Sequence, residues 1–274
     1  LQQFYNVADT LIVGQFLGST ALAAVGSSYT LMTFLTSILL GMCMGSGAVF
    51  SIRFGEGDLP RLKNSLSLSF LLIGGFTVAL NVAVFLLIDP MMALLQVPAD
   101  VIPLMRSYLW VIFWGIGGTF LYNYFASLLR AVGNSATPLV FLGVSAVLNI
   151  VLDLVFVVAV PWGVAGAAFA TSFSQWVSGV GLLVYTWKRM AHLRPSRQDV
   201  RWEKDRVLEI ARFSLLTCVQ QSVMNFGILM VQGLVNSFGT VVMAAFAAAV
   251  KIDSFAYMPV QDFGNAFSTF IAQN

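Results

Sequence analysis

An all-α, polytopic membrane fold of about eight transmembrane helices is predicted by three features of the sequence. Of its 274 residues, 58% are hydrophobic and only 9% are charged, against about 25% charged in soluble domains. The apolar residues gather into eight runs, at about 1–17, 28–52, 65–88, 104–128, 138–159, 166–188, 207–235 and 244–271. Most match the roughly 20 residues that a helix needs to span a bilayer. The basic residues, finally, fall in alternate loops, the pattern that orients membrane helices. The expected location is an inner or plasma membrane. A formal net charge of +2 with its charges confined to a few loops carries no nucleic-acid signal.

Segment one starts at Leu1-Gln2-Gln3 without a Met and is apolar from Phe4 onward, and segment eight runs to the end of the chain. The sequence therefore reads as a fragment, with no signal peptide. Gln2, Asn6 and Asp9 form one helical stripe in segment one. Segment two holds Gly41-Met42-Cys43-Met44-Gly45-Ser46-Gly47. Its Gly41 and Gly45 form a GxxxG pair, which predicts close helix packing. A nucleotide-binding reading fails there, because no strand precedes the glycines. Cys43 and Cys218 lie in apolar runs without metal-ligand spacing and read as small core residues.

The loop after segment two carries Arg53, Arg61 and Lys63, and the loop after four carries Arg130. The stretch after six carries seven basic residues: Lys188, Arg189, Arg194, Arg197, Arg201, Lys204 and Arg206. Loops 18–27, 89–103, 160–165 and 236–243 carry none. The even-numbered loops are therefore expected in the cytoplasm. Residues 189–206, which include the lone His192, read as a basic cytoplasmic linker between a six-helix lobe, 1–188, and the first two helices of a second lobe, 207–274. A repeat supports the division. Gly18-Ser19-Thr20-Ala21-Leu22-Ala23-Ala24 recurs 221 residues later as Gly239-Thr240-Val241-Val242-Met243-Ala244-Ala245. Two six-helix halves with a site between them are a recurrent transporter plan, and a complete second half would bring the chain to roughly 440 residues.

Polar residues inside the apolar runs mark the candidate site. Segment five, Pro138 to Ala159, has Asp153 as its only ionisable residue, with Asn149 one turn away on the same face. An acid at the centre of a membrane helix costs roughly 2.5–3.5 kcal/mol on insertion scales and marks a functional position by default. Asp9 is the acid of segment one; Thr171, Gln175 and Ser178 line one face of segment six, and Asn123, Ser127 and Arg130 one face of segment four. At 1.5 Å per residue, Asp9, Asp153 and Thr171 fall roughly 9–14 Å below the outer helix ends. Helix–helix glue needs hydroxyls and amides but no acids. Two acids at one depth can exchange a proton or hold a hard cation such as Na⁺ through oxygen ligands. Segments seven and eight add Gln221, Asn225, Gln232, Asn236, Lys251, Asp253 and Asp262. Of these Gln221, Asn225, Lys251, Asp253 and Asp262 are expected to line a hydrated substrate cavity between the two bundles, polar packing among further helices being the alternative. Lys251 and Asp262 lie roughly 16 Å apart along the helix axis and cannot pair.

Four stretches resemble the multidrug and toxic compound extrusion (MATE) transporters. They are Val7-Ala8-Asp9-Thr10-Leu11-Ile12-Val13-Gly14, Arg53-Phe54-Gly55-Glu56-Gly57-Asp58, Arg130-Ala131-Val132-Gly133-Asn134 with Asn149 to Asp153, and Gly163-Val164-Ala165-Gly166-Ala167-Ala168-Phe169-Ala170-Thr171. The resemblance implies a two-lobe fold, here with its second lobe truncated, and a monomer. It implies an antiporter that exports organic, often cationic, amphipathic compounds against H⁺ or Na⁺, with no further cofactor and no enzymatic activity. It also implies a coupling-ion site at Asp9, Asn123, Asn149, Asp153 and Thr171. One branch of the family carries an acid midway along helix seven; here that region has amides and Met224. The expected alternative is a flippase of a lipid-linked or polar lipid substrate in the same superfamily.

Overall fold

The computed structural model describes residues 2–196 and 202–273, apart from some side chains in the first turn and beyond residue 253. Among these residues the regular structure is helical throughout. Helices α1 (Gln2–Leu17), α2 (Ser19–Gly55) and α3 (Leu59–Leu86) are followed by the short α4 (Ile88–Leu94). Next come α5 (Ile102–Ile112) and α6 (Ile116–Ala131), joined by a 3-10 turn, Phe113–Gly115. Then follow α7 (Ala136–Asp153), α8 (Val164–Arg189), α9 (Lys204–Asn236) and α10 (Thr240–Gln273). Each predicted segment is helical. Among the described residues, six helical units are long and apolar enough to cross a membrane: Ser19–Gly55, Leu59–Leu86, Ile102–Ala131, Ala136–Ala159, Val164–Arg189 and Lys204–Asn236. The chain is a multi-pass membrane protein.

The boundaries depart from the hydropathy reading where small residues stay helical. Residues 19–27, predicted as loop, extend α2 to 37 residues, roughly 55 Å at 1.5 Å per residue, well beyond a ~30 Å hydrocarbon core. The turn between α1 and α2 is compressed into Gly18, whose φ of +87° only glycine adopts without strain. Gly239, its partner in the repeat, has φ +94° and turns α9 into α10 in the same way. The predicted linker is shorter than drawn, since α8 runs to Arg189 and α9 begins at Lys204. Its Arg197, Asp199 and Arg201 lie outside the described residues.

Helix α2 is the centre of the molecule and packs on α1, α3, α5, α6, α9 and α10. Leu39, Cys43, Val49 and Phe50 of α2 are fully buried. Around Phe50, the rings of Phe70, Phe120, Tyr124 and Phe125 form a connected aromatic cluster. The Tyr124 hydroxyl, which a dry core would strand, donates to the Leu66 carbonyl at 2.7 Å and lies 2.9 Å from Ser69 Oγ. The contact with α9 is backbone against backbone. A Cβ on Gly41 would sit 2.5 Å from the Cys218 Cα, and one on Gly45 would collide with the main chain of Phe213 and Ser214. The GxxxG pair thus packs a helix, as its spacing predicts, and the helix is α9.

Polar side chains tie the same seam at both ends. Ser27 Oγ donates to Asn236 Oδ1 at 3.0 Å, and Gln232 Nε2 donates to the same oxygen at 2.7 Å. Thr30 Oγ1 donates to Gln232 Oε1 at 3.0 Å, and Asn236 Nδ2 reaches the Leu95 carbonyl at 2.7 Å. At the other end, Arg53 of α2 bonds both oxygens of Glu209 on α9, at 2.8 and 2.7 Å.

Candidate functional site

Asp153 closes the regular part of α7. The six residues after it, Leu154–Ala159, wind as a π-helix, and the Val160 N–H reaches back five residues to the Val155 carbonyl at 2.7 Å. Such wide turns break the i, i+4 ladder and occur often at functional positions. Asp153 has no solvent exposure, and neither carboxyl oxygen has a hydrogen-bond partner among the described residues. One turn earlier, Asn149 is 1% exposed and donates from Nδ2 to Thr171 Oγ1 on α8 at 3.2 Å. Its carbonyl oxygen is unpaired among the described residues. A turn earlier again, Ser145 Oγ donates to the Ser174 carbonyl at 3.0 Å and holds α7 against α8.

The second acid arrives on α1, which packs on α7, the π segment and α8. Asp9 is 6% exposed, its Oδ1 has no bonding partner among the described residues, and its carboxyl lies in the electrostatic field of Asp153. The two acids thus interact across the α1–α7 packing, and the Asn149–Thr171 bond joins α7 to α8 one turn from Asp153. Asn123 does not join them through a described bond. It is half-buried, and its Nδ2 donates to the Thr119 carbonyl of its own helix at 2.8 Å.

The residues assigned to a substrate cavity scatter. Gln221 and Asn225 are buried along the α2 seam. Asn225 Nδ2 donates to the Gln221 carbonyl at 2.9 Å, and Gln221 Nε2 lies 4.0 Å from Met44 Sδ. Asp253 is exposed, and the side chain of Asp262 lies outside the described residues. Lys251 comes to the acids instead. It is 5% exposed, with Nζ 3.1 Å from the ring centroid of Tyr29 on α2, a cation–π contact. Its charge reaches Asp9.

Sequence reasoning missed Tyr29 and the neighbourhood of Lys251. The repeat held a usable signal, because it aligns segments one and two with seven and eight and so suggests that α1 and α10 meet. Missed too was the bond of Arg53, in a loop read for its basic charge, to Glu209, at the start of segment seven. The assembled donors are oxygen atoms of two carboxyls, an amide and a hydroxyl, in an apolar surround. That set suits a proton or a hard monovalent cation, and lacks a nucleophile with an adjacent base.

A family model described as MatE matches residues 1–155. A Bacillus subtilis protein named "Probable multidrug resistance protein YpnP" is 30% identical over 274 residues, all of this chain and 61% of that protein. A Shewanella oneidensis protein named "FAD transporter" is 27% identical over 285 residues, 98% of this chain and 60% of that protein. Among solved structures, the MATE multidrug transporter DinF-BH superposes with a TM-score of 0.91 at 24% identity, over 99% of this chain and 61% of that one. The chain thus spans about three-fifths of the length of these proteins.

Proposed function

Since the chain belongs to the MatE family, we propose that the complete protein is a secondary-active multidrug efflux antiporter, with H⁺ or Na⁺ entering at Asp9 and Asp153. The observation that carries this reading is the pair of buried, interacting acids on α1 and α7, with the Asn149–Thr171 bond one turn from Asp153. In the proposed cycle both acids open toward the outer face, and a cation arriving there neutralises them. α1 then packs more closely on α7 and α8, because a neutral carboxyl no longer demands solvation. The cavity between the halves narrows and releases an organic, often cationic, compound. Rocking of one half against the other returns the ion to the cytoplasm. Each charge that crosses the field gains ~2.3 kcal/mol per 100 mV.

The test uses the complete protein in proteoliposomes, with ethidium as the transported cation and pH and Na⁺ gradients imposed separately. Asp153→Asn, which keeps shape and removes the charge, is expected to abolish gradient-driven ethidium movement. Undiminished transport by that variant refutes the reading. A second substrate class, polar anionic organic molecules, is favoured by the name of the Shewanella relative. Replacing ethidium by FAD in the same vesicles separates the two.

A further inference from the structure

Three charged side chains are buried among the described residues: Asp9, Asp153 and Lys251. They come from α1, α7 and α10, and Tyr29 on α2 supplies the aromatic face beneath the ammonium. The two acids belong to the first six segments, the lysine to the helix after the repeated Gly239. The site is thus assembled across the two halves of the chain, with the base on the half that must move for access to alternate. Packing of α10 on α1 and on α2 makes that geometry direct.

We propose that Lys251 is the resident counter-cation of the acidic site, a tethered ammonium that holds Asp9 until the coupling cation displaces it and so transmits ion binding from α1 to α10. The proposal rests on the antiport reading above and names how that site signals to the second half. Its physical basis is a competition. An ammonium and a proton or Na⁺ cannot both neutralise the same carboxyl. Once Asp9 is neutralised from outside, Lys251 keeps its contact with Tyr29 and loses its opposite charge. A buried ammonium without that charge is strongly disfavoured, so α10 moves to bring it toward water. Linkage makes the effect reciprocal: whatever weakens the hold of Lys251 on Asp9 strengthens cation binding there. The groups that face the ammonium are Asp9 on α1, Tyr29 on α2 and, through Asp9, Asp153 on α7. Asp253, on its own helix, is exposed.

The experiment measures the half-maximal Na⁺ concentration at fixed pH, and the half-maximal proton concentration without Na⁺, for ethidium efflux from proteoliposomes of the complete protein. Lys251→Met is expected to lower the half-maximal concentration of the coupling cation by at least about fivefold, the lower bound of ordinary coupling between sites. Lys251→Arg should restore the wild-type value. Adding Lys251→Met to Asp9→Asn should change nothing further. An unchanged half-maximal concentration in Lys251→Met, beside a coupled wild type, overturns the role of the lysine and leaves antiport standing. A wild type that ignores both gradients overturns antiport and this inference with it. Should Lys251→Met fail to fold, a measurement with the lysine in place decides. Spin labels at the exposed positions Leu11 and Ile252, with Cys43 and Cys218 replaced by Ala, should report a changed α1–α10 distance on addition of the coupling cation. An unchanged distance overturns the proposal.

Discussion

The amide of Asn149 is oriented by one bond, to Thr171 Oγ1 at 3.2 Å, and its carbonyl oxygen has no partner among the described residues. Thr171→Val keeps the volume and removes the acceptor. A buried donor left unpaired costs about 1–3 kcal/mol, and the amide is expected to turn to find another partner. The half-maximal concentration of the coupling cation should rise about 5- to 150-fold, the same energy expressed as a ratio, with the thermal unfolding temperature in detergent lowered only slightly. An unchanged half-maximal concentration would remove Thr171 from the site. Asp9 and Asp153 could be singled out because each is the one acid of its apolar run, and Asn149 and Thr171 because they lie on polar stripes of such runs. Asn123 obeyed the same pattern, yet its amide satisfies itself on the carbonyl four residues back. Periodicity cannot separate those two outcomes. Lys251 was read as lining a hydrated cavity and not as lying in the field of Asp9, since that placement depends on how α10 packs on α1 and α2.

At the scale of elements, α2 and α9 approach until only glycine fits between them. Gly41→Leu places a branched side chain where a Cβ alone already meets the Cys218 backbone. The helices must separate, which also strains the bonds of Gln232 and Asn236 to Ser27 and Thr30. Overpacking of this kind costs about 1–3 kcal/mol or more, so a clear drop in thermal stability in detergent is expected. Gly75→Leu, where a Cβ meets nothing within 4 Å, serves as the control and should melt as wild type. The helical segments were readable from hydropathy because bilayer-spanning runs have one solution, the helix. Their ends were less so. Residues 19–27 are short in apolar bulk but rich in Ala, Gly and Ser, which suits a crowded interface, and hydropathy scored them as loop. The 3-10 turn at Phe113–Gly115, whose Phe113 carbonyl accepts from Asn81 Nδ2 at 2.7 Å, and the π segment after Asp153 have no hydropathy signature.

For the whole molecule, the α2–α9 seam decides what alternation of access requires. It is bonded at Arg53–Glu209, at Ser46–Ser214 with 3.0 Å between hydroxyl oxygens, and at Ser27–Asn236. Any rocking of the halves has to loosen part of it. Ser46→Cys with Ser214→Cys, made in a Cys43→Ala, Cys218→Ala background, brings two thiols within reach of disulfide geometry. Oxidation should stop ethidium efflux by the complete protein and reduction should restore it. Full efflux after quantitative cross-linking would show that the seam stays closed throughout the cycle. The two glycines that open α2 and α10 carry a different message. Gly18 and Gly239 share their left-handed turn across an offset of 221 residues. The same offset sets Met230 where the first copy has Asp9, and Thr30 where the second has Lys251. Each copy of the repeat thus carries a charge that the matching position of the other lacks. The backbone turn is common to both copies, while the acid and the base are not.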